Sequence, residues 1–508
     1  MRTKKALKNV FYSLLLQLVT AISGIVIPRF FITLYGSSVN GLVSSINQFI
    51  TCMGIVEAGI GAAGTVALYL PLAENNEGEV SRIVSAAKRF YLKSGAIFAA
   101  LVVLLIVAYP FVVSNEITDP VFIRTMIFVL SLSGIVDYFF LGKYRVLLMA
   151  DQRGYVISIA QILGVVVTTI ASIVLMELKW SALAVKGSAA LVYVLRSVAV
   201  GYYVKKNYPH ISFNSTPDYA AFSQRWAALL HQIVGMIVTS TDLVVLTLLL
   251  PVNALTTVSV YSVYNLVASA LQGLMSAVSN ALGSGFGEVI ARGEKNVLRN
   301  SFSGYEYTFF LVIFIAYTCM ASLMYPFIEQ YSKSFTDGVS YLSWGLVVLF
   351  TMTGLLQALR LPGLTIICAA GHYRQTRSRA ILEAVINIVV SVALIRKLGI
   401  YGVLIGTCAS YLYRTTDVVF YNASRFMRGS LKKTLFRILR GIILAGVLTA
   451  AAARTVPTEV HGWGGWLCWA LLDGVIVTAV FVLVNVLLEP REFRIMIDRI
   501  LSVVRKND

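Results

Sequence analysis

MRTKKALKNVFYSLLLQLVTAISGIVIPRFF (residues 1–31) opens the chain with four cations and then runs largely apolar through Pro28. A basic flank ahead of an apolar run also describes a secretory signal. This run is longer than a signal core, and no small-residue cleavage site precedes the next apolar segment. About twenty apolar residues cross the hydrocarbon of a bilayer as a helix. The segment is therefore expected to be a retained first transmembrane helix.

The same pattern recurs along all 508 residues. Fourteen spans are expected, near 9–34, 41–70, 90–112, 121–148, 155–177, 182–204, 226–250, 258–283, 303–328, 339–361, 379–398, 401–420, 437–453 and 463–488. The gaps between them alternate in charge. With the N-terminus placed inside, 32 of the 42 Lys and Arg fall in inner segments and six in outer ones. Arg145, Arg379, Arg414, Arg437 and Arg440 belong to the inner set on this count, as do Arg428 and Lys506. Arg396–Lys397 is the one local exception. Such a bias places both termini on the cytoplasmic side of the membrane.

Composition narrows the class further. The chain is 58% hydrophobic and only 13% charged, yet carries a net charge of +18. Too few charges remain to cover a water-facing surface. Sorting the cations by position removes nucleic acid as an expected partner, since the basicity is mostly topology. The five cysteines lie in or beside apolar stretches without metal-ligand spacing, and are expected to act as small apolar residues. No cofactor or metal site is expected.

A faint internal repeat organises the spans. Gly78-Glu79 followed by Phe90-Tyr91 recurs as Gly293-Glu294 followed by Tyr305-Glu306-Tyr307. LMELKWSALAVKGS (175–188) aligns with LIRKLGIYGVLIGT (394–407), matching Gly187 to Gly406. The expected fold is all-α and polytopic: two parallel six-helix lobes plus two C-terminal helices around a central cavity. The lobes would be 1–204 and 226–420, joined by a cytoplasmic linker at 205–225. Two further spans at 437–488 and a basic tail at 489–508 complete the chain.

Catalytic motifs are missing. Gly59-Ile-Gly61-Ala-Ala-Gly64 matches a dinucleotide fingerprint in letters only, since that motif needs a strand before it. Here, small residues for close helix packing or local bending are the expectation, as for Gly402-x-x-x-Gly406. His210, His231, His372 and His461 are isolated. Nothing assembles a nucleophile, a base and an orienting group, so no catalytic residue is assigned and the chain is not expected to be an enzyme.

The informative residues are charges inside spans, each costing about 2.5–3.5 kcal/mol on insertion scales. The cations are Arg29, Lys186, Arg196 and Arg360; the acids are Glu57, Asp137, Asp242, Glu383 and Asp417. Lys186 and Arg360 are close enough to helix ends to snorkel. At about 1.5 Å per residue, Arg29 lies roughly 8 Å and Asp242 roughly 12 Å below the outer ends of their helices. Those depths suit a pair. Arg196 and Glu57 fall about 21–24 Å from the outer side. Polar side chains stud spans 1, 2, 7 and 8, Asn47, Gln48, Asn265 and Gln272 among them. They serve either interhelical hydrogen bonds or a wet cavity.

Arg29-Phe30, the turn Leu34-Tyr35-Gly36…Gly41-Leu42 and the following SSINQFITCMGIVEAGIG resemble the opening of polysaccharide-repeat-unit flippases. PLAENNEGEVSRIVSAAKRFY (71–91) and LLMADQRGYVIS (147–158) are similar to that family as well. It belongs to the superfamily that also holds multidrug extruders and the lipid II flippase. The resemblance implies alternating access by two six-helix lobes. Its substrate would be an undecaprenyl-pyrophosphate-linked oligosaccharide, used for surface polysaccharide such as O-antigen or capsule. Implied partners are that polyprenyl-linked glycan, membrane lipids and other polysaccharide-assembly membrane proteins.

Arg29, Arg196, Lys186, Arg360, Asn47, Gln48, Asn265 and Gln272 are then the candidate substrate contacts, with arginine holding phosphate oxygens bidentately. Asp242, Glu57 and Asp137 are candidates for ion coupling or gating. The resemblance sets spans 1 and 7 on opposing walls, which makes Arg29 and Asp242 a candidate gate pair. A cation-coupled multidrug exporter on the same fold is the nearest alternative. A membrane-embedded glycan polymerase or transferase is a more distant one, because it would need larger loops than this chain has.

Overall fold

The computed structural model describes residues 2–113, 116–222, 225–427, 431–455 and 462–505. Arg428, His461 and Lys506 lie outside the described residues, and so do the side chains of Arg225 and His231. The described residues form helices and short connections, with no strand among them. In chain order the first helices are α1 (Arg2–Tyr35), α2 (Ser37–Met53), α3 (Ile60–Ala73), α4 (Glu77–Val113), α5 (Pro120–Val136) and α6 (Gly142–Ala150). Then come α7 (Gly154–Glu177), α8 (Ala182–Asn207), α9 (Arg225–Ser240), α10 (Asp242–Leu249), α11 (Ala254–Ala291) and α12 (Lys295–Ser332). The remainder are α13 (Trp344–Leu359), α14 (Leu361–Ala369), α15 (Tyr373–Leu398), α16 (Ile400–Arg425), α17 (Leu431–Thr455), α18 (Gly462–Leu488) and α19 (Pro490–Arg505).

Each of the fourteen expected spans has a helical counterpart, and among the described residues twelve helices are long and apolar enough to cross a membrane. The expected span 226–250 is interrupted at Thr241, between α9 and α10. Its pieces are too short. The expected span 401–420 is continuous in α16 but carries Arg414, Thr415, Thr416 and Asp417, which lower its apolar character. Large apolar side chains such as Phe111 (77% exposed) and Leu487 (69% exposed) face outward along the spans. In water that exterior would be a large apolar patch; in lipid it is solvated. The chain is a multi-pass membrane protein.

The expected span 41–70 is also interrupted. A 3-10 turn at Gly54–Glu57 follows α2, and Gly59 takes φ of 84°, a left-handed conformation that suits glycine. Gly64 then packs so closely that a Cβ there would lie 2.9 Å from Val146 Cγ1. The Gly-rich stretch bends and packs helices. Gly402 and Gly406 do the same for α15 and α16: a Cβ at 402 would lie 2.7 Å from the Leu394 carbonyl carbon, and one at 406 would lie 2.2 Å from Ser391 Oγ.

The chain divides into two compact units. The first comprises 1–266 with 335–339 and 392–403. Within it α7 packs on α1 and α8, and α4 on α3 and α5. Asp119 caps α5 by accepting from the amides of Val121 and Phe122, and Pro120 takes the first helical position. Glu116 accepts the Leu255 amide at 2.7 Å and the Thr256 amide at 3.1 Å, at the start of α11. The second unit comprises 267–334, 340–391 and 404–508. There α12 is the hub, packed by α13, α17 and α18.

Candidate functional site

A cavity of about 330 Å³ in the first unit gathers several of the polar residues singled out from sequence. Lys186 and Arg196 of α8 line it, with Asn47 of α2, Ser23 of α1, Ser133 of α5 and Thr168 of α7. α8 starts where Ser181 caps it by accepting the Ala184 amide, and its turns carry Lys186, Tyr193 and Arg196 onto the cavity wall. Among the described residues, no carboxylate lines this cavity. The Lys186 ammonium lies 4.3 Å from the centre of the Phe31 ring. The Arg196 guanidinium stacks 3.9 Å above Tyr193, and its buried Nε has no hydrogen-bond partner. Two cations are thus presented with aromatic faces as company, an arrangement that favours an anion.

A charged chain leads away from this cavity. The Tyr193 hydroxyl donates to Asp137 Oδ1 at 2.9 Å. Arg145 binds Asp137 with one nitrogen and Glu57 Oε1 with another at 3.3 Å. The Tyr91 hydroxyl donates to the same Glu57 oxygen at 2.7 Å. Asp137 opens a π turn at Asp137–Leu141, between α5 and α6. Such wide turns recur at functional sites, because they re-aim side chains within a helix. Glu57 and Asp137 therefore share one arginine.

That arginine corrects the charge sorting. Arg145 counts among the inner topological cations by position, yet it is held between two carboxylates inside the protein. Its place within the expected span 121–148, two turns after Asp137, was the available signal. Arg414 and Arg437 are likewise buried, at 5% and 2% exposed. Arg379 and Arg440 also join ion pairs. Positional bias sets orientation during insertion, and it carries no information about which cations then fold inward.

The second unit holds a separate ion network. Arg360, in the break between α13 and α14, binds Glu383 of α15. Glu383 also lies 3.6 Å from Arg414 of α16, which bonds Asp417 at 2.8 Å. Arg360 stacks 4.5 Å over Tyr411. The expected snorkelling of Arg360 is overturned, since it is 8% exposed and pairs inward. Burying an ion pair costs less here than pushing a lone cation through lipid.

The remaining candidates scatter. Arg29 is half-buried on α1, and Thr33 donates to its carbonyl at 2.9 Å. Asp242 is buried at the first residue of α10 and accepts the Tyr261 hydroxyl at 2.8 Å. Gln48 and Asn265 are half-buried on α2 and α11. The Gln272 carboxamide accepts from Tyr317 at 3.1 Å. Several of the studding hydroxyls tie helices together: Ser45 to Thr247 at 2.7 Å, and Ser23 to Thr169 at 2.7 Å. Asp473 of α18 escaped notice in the sequence. It is 9% exposed and accepts the Ser322 hydroxyl at 2.6 Å.

No protein-family model matches the sequence, and no curated protein matches it. Solved structures do. The lipid II flippase MurJ in an inward closed conformation superposes with a TM-score of 0.66 at 16% identity, covering 93% of this chain and 99% of that one. An inward-facing multidrug resistance MATE family transporter of the MOP superfamily gives 0.61 at 13% identity, covering 84% and 99%. An outward-facing structure of a MATE family transporter gives 0.57 at 14% identity, covering 84% and 96%. At such identities the likeness establishes the fold. The chain has the all-helical, multi-pass fold of these transporters.

Proposed function

We propose that the chain is a flippase carrying undecaprenyl-pyrophosphate-linked oligosaccharide units across a bacterial inner membrane by alternating access, for surface polysaccharide assembly. The observation that carries this reading is the cavity of Lys186 and Arg196, with no carboxylate in its wall. A pyrophosphate brings the negative charge those cations lack, and Asn47, Ser23, Ser133 and Thr168 offer partners to sugar hydroxyls. A lipid II flippase shares the fold, which supports a lipid-linked substrate. The six-helix lobes 1–204 and 226–420, with both termini cytoplasmic, belong to the same proposal.

Export of organic cations is the competing function on this fold. It wants an acidic, accessible pocket, whereas Asp137 and Glu57 are both engaged by Arg145. The deciding experiment uses purified protein in vesicles holding a defined lipid-linked oligosaccharide in one leaflet. Transfer to the other leaflet, reduced at least about tenfold in Arg196→Ala and Lys186→Ala, is the expected result. Unchanged transfer in both variants would remove the site assignment. Proton- or sodium-driven efflux of an organic cation without any lipid transfer would replace the function.

A further inference from the structure

Three span ends meet on one side of the second unit: the start of α12, the start of α17, and the join between α18 and α19. They enclose a cavity of about 650 Å³. Arg299, Ser303, Lys433, Arg437, Arg491 and Glu492 are in its wall. The charges there divide into two groups. Arg437 is spent internally, on Glu306 at 3.0 Å and Glu489 at 2.7 Å, and Lys433 is spent on Glu492 at 2.6 Å. Arg299 of α12 and Arg491 of α19 remain, both exposed and with no carboxylate partner among the described residues. Two forked guanidinium groups from different helices therefore open onto one cavity.

The depth of this cavity restricts its ligand. It sits where spans end, which is the headgroup layer of a bilayer. α19 carries Phe493, Met496 and Ile497 along one side and Arg491, Arg494 and Asp498 along another, the pattern of a helix lying in the interface. We infer that this cavity binds the phosphate of an anionic membrane lipid, with Arg299 and Arg491 gripping its oxygens and the paired Arg437 and Lys433 fixing the wall. The cavity exceeds a phosphate in size, leaving room for the glycerol part of a headgroup. This site is separate from the Lys186 and Arg196 cavity, and the inference does not rest on the proposed transport function.

The test is native mass spectrometry of the full-length protein in detergent, titrated with phosphatidylglycerol, with phosphatidylethanolamine and with inorganic phosphate. Phosphatidylglycerol is expected to bind at least about tenfold more tightly than phosphatidylethanolamine. The preference should vanish in the double variant Arg299→Gln with Arg491→Gln and survive in Arg494→Gln, a change on the same helix outside the cavity wall. Thermal melting of each variant separates lost binding from lost fold. Equal binding of the two lipids, or an unaffected double variant, would overturn the inference. Displacement of the lipid by millimolar inorganic phosphate would reassign the cavity to a soluble anion.

Discussion

Gly164 of α7 stands directly against Arg196 of α8: a Cβ at 164 would lie 3.5 Å from Arg196 Cδ. Glu383 of α15 and Arg414 of α16, in the second unit, stand 3.6 Å apart in the same fashion. Gly164 and Glu383 are each the eleventh residue of their helix, and Arg196 and Arg414 are each the fifteenth of theirs. Arg414 thus has a carboxylate neighbour at this helix position, and Arg196 has a glycine there.

Gly164→Glu should convert the open site into the closed one. The added Cβ meets only ordinary contacts, and the variant's amount in the membrane is measured alongside transfer so that loss of fold is separated from loss of charge. Its carboxylate would neutralise Arg196, and lipid-linked substrate transfer should fall about tenfold or more. Gly164→Gln, equal in size and uncharged, is the control and should retain most activity. Equal loss in both would mean that bulk at 164, and not charge, matters.

Arg145→Leu should be strongly destabilising. It leaves Asp137 and Glu57 side by side without their shared cation; with Arg145 34% exposed, solvent screening keeps the cost below the roughly 3–5 kcal/mol of a fully buried broken pair. The melting temperature in detergent reports the loss. Adding Asp137→Asn and Glu57→Gln should recover much of it, and no recovery would show that the arginine acts through packing.

Glu492 supplies a pH dependence. Burial alone would raise its carboxyl pKa, but the Lys433 ammonium at 2.6 Å outweighs it and holds the group below its usual range. A depressed folded-state value contributes stability above the unfolded pKa of about 4.3, and that contribution is lost as pH falls through the folded value. Lys433 is 44% exposed, so the pair contributes less than about 1 kcal/mol. Wild type and Glu492→Gln should therefore differ in melting temperature at pH 7 and converge as the pH falls below the folded value, under acid conditions where Glu492 is protonated in both states. A gap that persists there would contradict the linkage.

Gly41 of α2 touches the backbone of α11, where a Cβ would lie 1.8 Å from the Leu255 carbonyl oxygen. Gly41→Ala must push two helices apart and should cost about 1–3 kcal/mol. Reduced membrane abundance and a lower melting temperature are expected. Gly474→Ala on α18, where nothing lies within 4 Å, should be neutral or slightly stabilising.

The multi-pass, all-helical character was legible in the apolar runs and the alternating basic gaps. Insertion energy is summed along the chain, so each span declares itself within about twenty residues. The breaks at Gly59 and Thr241 were less visible, because one left-handed glycine or one interrupted turn barely alters an average over a span. Lys186, Arg196 and Asn47 could be named in advance as polar residues in an apolar setting. Their convergence on one cavity could not, since they come from helices well over a hundred residues apart in sequence for α2 and α8. Sequence position likewise counted Arg145 and Arg414 among the inner topological cations, whereas folding paired them with carboxylates. Ion pairing acts over 3–4 Å between residues distant along the chain, so only tertiary structure decides which cations are spent internally and which, like Arg196, have no carboxylate partner among the described residues.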